Sequence, residues 1–288
     1  MLLWVVLAGA FGQTLDIDGA VAWEAMEITA KVDLNLRSAG IRLPTGRAQA
    51  EELIVTEYPR LVRPTILSIP VDSANTVKDL IDQGEFTLQE VGNIALSARR
   101  VPPALSTDLA SLTAAYTIDL TRIGAALIRH SRPADLIRPL RPLPAASYTG
   151  IIILAAESLP VHGRNIKSLA LPCLFPKIWD TEMNLLYDRN MLNPDTARTA
   201  GMVRYVTESG VFRPTPSGLS PELTALVGDK PLRIFARGVY GIRPTDPIID
   251  REDALVILSS ADNLRLLREG RVALMLNAGV LRNPLVEE

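Results

Sequence analysis

Residues 26–36 read MEITAKVDLNL, and this stretch decides the fold class. Apolar side chains stand at the even positions, from Met26 to Leu36, and polar or charged side chains stand at the odd positions. Because the side chains of a strand point alternately to opposite faces, this period of two predicts a β-strand with one buried and one wet face. Such a strand is typical of an antiparallel sheet that is covered on one side.

Other strands follow from the same kind of pattern. Residues 109–120 repeat the alternation and predict a second half-buried strand. Residues 150–156, GIIILAA, form a continuous apolar run that predicts a central strand buried on both faces. Residues 272–276 predict a final strand. A strand at 231–240 is expected to place Leu232, Ile234 and Ala236 on one side and Arg233 and Arg237 on the other.

Helices are predicted between these strands from apolar spacing and capping residues. Thr45 is expected to cap the first helix, and Pro59 and Pro64 are expected to interrupt it, giving two shorter helices. Thr87 and Glu90 have the spacing of a capping box at the start of a later helix. Asp250 is expected to cap a helix in the second half of the chain.

The predicted fold class is α+β, with a mixed, largely antiparallel sheet and helices packed on one face. Residues 132–144 contain four prolines in thirteen residues and predict an extended connector. The connector separates an N-terminal α+β domain, 16–131, from a C-terminal α+β domain, 145–288. One continuous sheet and two subdomains both fit the pattern.

The first fifteen residues carry no charge, and Ala8-Gly9-Ala10 fits the small-residue pattern of a signal peptidase site. We therefore predict a signal peptide at 1–15 and a periplasmic or exported protein, with outer-membrane association as one form of that location. A typical signal peptide starts with basic residues, which are missing here. The alternative is an intracellular protein in which 1–15 is a buried strand or helix.

Composition excludes several function classes. The chain of 288 residues has 30 Lys and Arg against 32 Asp and Glu, and aromatic residues make up 5%. This balance gives no basic surface for nucleic acid and few rings for base stacking, so no nucleic acid partner is predicted. No stretch after 1–15 is apolar and long enough for a transmembrane segment. The single cysteine, Cys173, lies in an apolar stretch and is predicted to be a buried core residue.

The sequence contains no strong catalytic, cofactor-binding or metal-binding motif. Its two histidines, His130 and His162, are too few for a typical zinc site, and neither nucleotide-binding glycine motif is present. No catalytic residue, cofactor or metal is therefore predicted. The alternative is a periplasmic hydrolase or glycan-binding protein, in which one cleft is lined by His162, Glu157, Asp180, Glu182 and Arg164.

Four short segments carry a resemblance to a family. Residues 148–155 read YTGIIILA, residues 231–238 read PLRIFARG, and the chain closes with TDPIID at 245–250 and RVAL at 271–274. With the order of the elements, these segments resemble FlgP-like periplasmic and outer-membrane-associated proteins of motile bacteria. The order is also similar to that of spirochaete envelope proteins. The resemblance implies a structural or assembly role at the flagellar motor or envelope.

The function predicted from the sequence is therefore that of a non-enzymatic, exported structural or assembly protein of the cell envelope, with a flagellar association. Its expected partners are other envelope or flagellar proteins, together with further copies of the chain. The hypothesis for self-association is that 26–36 or 111–120 forms an edge strand that extends a neighbouring sheet.

Overall fold

A computed structural model describes residues 14–135, 139, 142, 144–213, 215 and 217–286. The predicted signal peptide lies almost entirely outside these residues, as does much of the predicted proline-rich connector. The fold is α+β, as predicted. Of the two arrangements that the sequence left open, the structure has two subdomains, and each has its own sheet.

The first sheet is antiparallel, and its strands stand in the order β15-β1-β2-β5-β3, with β4 also paired to β5. Its elements from the first half of the chain are β1 (Leu15–Ala22), β2 (Glu27–Asn35), α1 (Arg47–Ser68), α2 (Val77–Asp82), α3 (Leu88–Leu96), β3 (Arg99–Arg100), β4 (Ala104–Leu105), β5 (Ser111–Asp119) and α4 (Thr121–Leu127). Strand β15 (Arg282–Pro284) comes from the far end of the chain.

Strands β2 and β5 confirm the alternation read from the sequence. Ile28 lies opposite Ile118 and Leu34 lies opposite Leu112, and all four side chains are buried. Helix α1 packs against this apolar face through Ile54, Tyr58 and Val62, among others. The opposite face carries polar pairs such as Asp33 and Thr113, whose hydroxyl donates to the carboxylate over 2.6 Å.

The prediction of edge strands at 26–36 and 111–120 is wrong. Strand β2 is paired on both sides, by β1 and β5, and β5 is paired by β2 on one side and by β3 and β4 on the other. Their backbone groups are therefore already engaged and cannot extend a neighbouring sheet.

The first helix also differs from its prediction. Pro59 and Pro64 lie inside one continuous helix, α1, which begins after Gly46 rather than with a Thr45 side-chain cap. The Thr45 hydroxyl instead donates to the carbonyl of Arg42 over 3.4 Å. Proline removes one helical hydrogen bond, but burial of one whole helix face against the sheet outweighs that local loss.

The second sheet is mixed, with strand order β10-β9-β13-β12-β6-β14-β11. Strands β12, β6, β14 and β11 are parallel to one another. The elements are β6 (Ile151–Leu154), β7 (Leu159–Pro160), β8 (Lys167–Ser168), β9 (Ile178–Asp180), β10 (Leu185–Tyr187), α5 (Pro194–Ala200), β11 (Arg204–Val206), α6 (Glu208–Val211), α7 (Pro221–Val227), β12 (Leu232–Tyr240), β13 (Asp246–Ile249), α8 (Arg251–Ser259), α9 (Ala261–Arg268) and β14 (Val272–Met275). Short 3-10 helices occupy Arg189–Met191 and Ala278–Val280.

Strand β6 is central and buried on both faces, as its apolar run predicted. Ile151 and Ile153 belong to the main core, which extends through both subdomains. Ile152 and Leu154 belong to a second cluster that includes Leu223 of α7. The predicted arrangement, with helices packed on one face, therefore fits the first sheet, whereas the middle of the second sheet is covered on both faces.

The two subdomains are joined by backbone hydrogen bonds as well as by the core. The amides of Leu174 and Phe175 donate to the carbonyls of Pro70 (3.0 Å) and Val71 (2.8 Å). Strand β15 pairs with β1, so the chain returns from the second subdomain to the edge of the first sheet. The domain ranges 16–131 and 145–288 stay predictions. Strand β15 falls in the second range by its residue numbers, but it pairs in the sheet of the first subdomain.

Candidate functional site

One cleft of the second subdomain lies at the carboxyl ends of its parallel strands, which is where such sheets usually bind ligands. Strands β6, β12 and β14 run in one direction, so their carboxyl ends reach the same region of the sheet. After β6 the chain turns towards β12, where the amide of His162 donates to the carbonyl of Val239 over 2.8 Å. After β14 it returns to the first sheet. A crevice between diverging connections of this kind is the usual ligand position in open α/β sheets.

The cleft has a volume of about 350 Å³ and is mainly apolar. Leu154 and Met275, at the ends of β6 and β14, are buried and form its floor. Phe212 and Phe235 form its walls, and their side chains are 55% and 65% exposed. Covering one such side chain in a complex would stabilise the complex by about 1.5 to 3 kcal/mol.

Two carboxylates stand at the rim of the cleft. Glu157 follows β6, and Glu208 is the first residue of α6. Both residues are exposed. Among the described residues, neither side chain has a hydrogen-bond or ion-pair partner. The cleft therefore combines aromatic walls with negative charges that are free to bind a cation.

The sequence had singled out Glu157 but not the two phenylalanines. The alternation in β12 does contain a signal for Phe235, because Arg233 and Arg237 flank it on the wet side of the strand. An aromatic residue at a wet position breaks the pattern that places Leu232, Ile234 and Ala236 inside. Phe212 lies just after the short helix α6 and carries no comparable signal.

His162 lies in a different setting from Glu157. It is exposed in the loop between β7 and β8, and its ring centroid is 6.1 Å from that of Tyr240. Arg164, in the same loop, donates a hydrogen bond to the carbonyl of Ile242 over 3.5 Å. These contacts fix one loop against another and do not involve an acidic side chain.

Asp180 is a structural residue of the turn between β9 and β10. Its buried carboxylate accepts hydrogen bonds from the amides of Glu182 (2.9 Å) and Asn184 (2.8 Å), and from Asn184 Nδ2 (2.8 Å). Arg251 lies 3.8 Å from the same carboxylate and forms an ion pair with Glu182. The structure therefore brings Asp180 and Glu182 together, but the carboxylate of Asp180 binds the turn and that of Glu182 binds Arg251.

A buried polar cluster that the sequence did not reveal surrounds Asp246. Its carboxylate accepts hydrogen bonds from the amide of Lys177 (3.1 Å), the hydroxyl of Thr245 (3.0 Å) and Nε1 of Trp179 (3.4 Å). Burial raises the pKa of this carboxyl despite a further hydrogen bond from Ser73.

Cys173 is fully buried, as predicted, and burial raises the pKa of its thiol far above the usual value. Such a thiol is a poor nucleophile, because the thiolate is the reactive form. In the part of the chain that the structure describes, no group of three His, Cys, Asp or Glu residues could hold a metal ion. In the same part, no helix is both long enough and apolar enough to cross a bilayer.

Two family models match this chain, one for each subdomain. Residues 14–126 match the N-terminal domain of Treponema pallidum Tp0624, and residues 150–278 match the second domain of the same protein. The two matches occur in the same order along the chain. The chain belongs to this spirochaete-associated family. A search of curated proteins found no match.

The cleft lies wholly within residues 150–278, which match the second domain of Tp0624, because its lining residues extend from Leu154 to Met275. The domain names give no activity, and the family is one of unknown function. The match supports the spirochaete part of the sequence-based resemblance. The FlgP-like part stays a prediction.

Proposed function

We propose that this chain is a non-enzymatic structural or assembly protein of the cell envelope that binds a segment of a partner protein in the cleft of its second domain. The observation that carries the proposal is the pair Phe212 and Phe235, which stand more than half exposed on the walls of one cleft. An apolar surface with a polar rim is typical of a binding site.

The rim indicates which partner chemistry the cleft would bind. Glu157 and Glu208 are exposed and have no partner among the described residues. A segment with an apolar side chain next to Lys or Arg would fill the space between the rings and neutralise both carboxylates. Complementary charge of this kind favours the correct partner and speeds association.

The envelope location rests on the uncharged stretch 1–15, which supports export. The FlgP-like resemblance supports assemblies of the flagellar motor as the first place to look for the partner.

The hydrolase alternative receives less support from the geometry. Asp180 is bound by the turn that it stabilises, and Glu182 is paired with Arg251. Glu157 lines the cleft, whereas His162 contacts Tyr240. A hydrolase mechanism would need these groups to converge on one reacting atom.

Site-specific crosslinking in the native host tests the proposal. A photoreactive phenylalanine analogue would replace Phe212, and the same analogue at Val101, which is 58% exposed in the first domain, is the matched control. We expect one protein to be crosslinked from position 212 and not from position 101. Cell fractionation and mass spectrometry would identify it and show whether the N-terminus is processed.

Two variants would then test the chemistry of the cleft. We expect Phe235→Ser to lower the crosslinking yield at least about tenfold, as the loss of a central aromatic contact does. Replacing Glu157 and Glu208 with Gln should lower it about twofold to fivefold for each charge removed. No crosslinked protein at position 212, or an equal yield from Phe235→Ser, would rule out the proposed function.

A further inference from the structure

A second surface of the second domain is built from two neighbouring loop tips. We define the loop-tip surface as His162, Arg164 and Ile166 of the β7–β8 loop and Lys167 at the start of β8, together with Tyr240 at the end of β12 and Ile242 of the β12–β13 loop. Val161 and Val239 form a parallel bridge between the two segments, and the Arg164 side chain donates to the carbonyl of Ile242. The two loops therefore present their side chains as one surface.

Two large aliphatic side chains project from this surface. Ile166 is 55% exposed and Ile242 is 68% exposed. Single exposed aliphatic residues are common on proteins, but two on contacting loops are less so. Ile166 lies in the connection between β7 and β8, and Ile242 lies in the connection between β12 and β13.

The charges on the loop-tip surface are all positive. Residues 159–168 and 239–245 contain Arg164, Lys167 and Arg243 and no acidic residue. Arg243 lies 3.8 Å from Asp79, which balances its charge. Arg164 binds only a carbonyl oxygen, and Lys167 has no side-chain partner within the described residues. Two cations therefore remain to attract an anionic surface.

Aromatic side chains with polar groups complete the pattern. Tyr240 is 38% exposed, and its ring lies between those of His162 (6.1 Å) and Trp179 (5.7 Å). Tyrosine and tryptophan favour the boundary between lipid headgroups and acyl chains, because their rings are apolar and their edges are polar.

We propose that the loop-tip surface binds a bilayer that contains anionic lipids. Ile166 and Ile242 would enter the boundary between headgroups and acyl chains, while Arg164 and Lys167 would contact lipid phosphates. Peripheral binding depends on such a combination of buried apolar area and attraction to anionic lipid. The proposal is independent of the cleft, since none of these six side chains lines it.

Vesicle flotation with the purified full chain tests the proposal. The vesicles would contain phosphatidylcholine alone, or phosphatidylcholine with about one third phosphatidylglycerol. We expect binding to the anionic vesicles only. Raising the salt from about 0.15 M to about 1 M should weaken it, because the Debye length falls from about 8 Å to about 3 Å.

Matched variants locate the binding surface. We expect Ile166→Ser with Ile242→Ser to lower vesicle binding about tenfold or more, and Arg164→Gln and Lys167→Gln to lower it about fivefold each, which corresponds to about 1 kcal/mol per cation. Val101→Ser removes an equally exposed aliphatic side chain from the first domain and should have no effect. Phe235→Ser, which alters the cleft, should also leave vesicle binding unchanged.

Three outcomes would overturn the proposal. The first is no preference for anionic vesicles. The second is full binding by the double isoleucine variant, and the third is an equal loss in Val101→Ser. A result in which Ile166→Ser with Ile242→Ser abolishes crosslinking to a protein but leaves vesicle binding intact would assign the surface to a protein partner instead.

Discussion

The indole of Trp23 and the phenol of Tyr205 meet edge to face, with ring centroids 5.9 Å apart and an interplanar angle of 83°. Trp23 follows β1 in the first domain, and Tyr205 lies in β11 of the second. Both side chains are almost fully buried. The hydroxyl of Tyr205 also donates to the carbonyl of Cys173 over 2.7 Å. The contact between the domains is therefore packed like a protein core, which makes their stabilities interdependent.

We predict that Trp23→Ala lowers the free energy of unfolding by about 3 to 5 kcal/mol, because it leaves a cavity between the domains. Trp23→Phe should cost less, since it keeps a ring and loses mainly the hydrogen bond from Nε1 to Asn283. Urea unfolding of both variants measures these effects. A single transition that shifts as a whole is expected, whereas two transitions of which only one moves would contradict the prediction.

A second prediction concerns the turn after β12. Gly241 has φ +120°, and a Cβ there would lie 2.3 Å from Cβ of Ser73 in the first domain. Gly241→Ala should therefore force the two domains apart locally and cost at least about 2 kcal/mol, from strain and overpacking together.

Gly163 supplies the control for this substitution. It has φ +75°, but a Cβ there would meet no atom within 4 Å. Gly163→Ala should cost only the backbone strain, about 1 to 2 kcal/mol. Thermal or urea unfolding would compare the two variants, and an equal loss in both would show that the contact with Ser73 is unimportant.

A third prediction compares two threonines near helix starts. Thr87 and Glu90 form a complete capping box at the start of α3, with hydrogen bonds of 2.8 Å from the Thr87 amide and 3.1 Å to the Thr87 hydroxyl. Thr87→Ala should cost about 1 kcal/mol. Thr45→Ala should cost less than about 0.5 kcal/mol, because Thr45 does not cap α1. Equal losses by urea unfolding would contradict the assignment of the caps.

A fourth prediction concerns pH and Asp246. Because burial raises its pKa, the native state holds the carboxyl proton to a higher pH than the unfolded chain does. The contribution of Asp246 to stability is therefore complete below about pH 4, the ordinary pKa of aspartate, and falls as the pH rises. Asp246→Asn removes this titration.

Stability curves of the wild type and of Asp246→Asn between about pH 4 and about pH 7 measure the effect. The difference in unfolding free energy, wild type minus variant, should become smaller as the pH rises. A difference that stays constant or grows would mean that hydrogen bonds from Lys177, Thr245 and Trp179 outweigh burial.

Local patterns in the sequence were sufficient to predict much of this fold. The alternation around Val32 and the apolar run at 151–154 correctly predicted a half-buried and a fully buried strand. Both patterns report directly which faces are buried. The uninterrupted helix α1 was not predictable in this way, because the local cost of Pro59 and Pro64 is opposed by packing against strands that lie far away in the sequence.

Pairing between strands was also beyond local patterns. Nothing within 26–36 indicates that β1 and β5 lie on either side of it, so the expected free edge was wrong. The predicted helix cap at Asp250 was wrong for a similar reason, because its side-chain partner comes from another strand. Asp250 does precede α8, but its side chain forms an ion pair with Arg237 over 2.6 Å instead of a helix cap.

The candidate site was only partly visible in the sequence. Glu157 was chosen for its charge and does line the cleft, whereas Asp180 was chosen for the same reason and holds a turn together. Charge alone does not distinguish a free carboxylate from one that accepts backbone hydrogen bonds. Phe235 was detectable as an aromatic residue on the wet side of β12, but its role depends on Phe212, which comes near it only in the folded chain.

The position of β15 has a consequence for synthesis. This strand covers the outer edge of β1 at residues 20–22, yet it is translated after every other strand of both sheets. The first domain therefore leaves the ribosome with an open backbone edge and is complete only when the second has been made. Natural recombination that moved one domain without the other would leave residues 20–22 of β1 uncovered, so selection should preserve the two as an inherited pair.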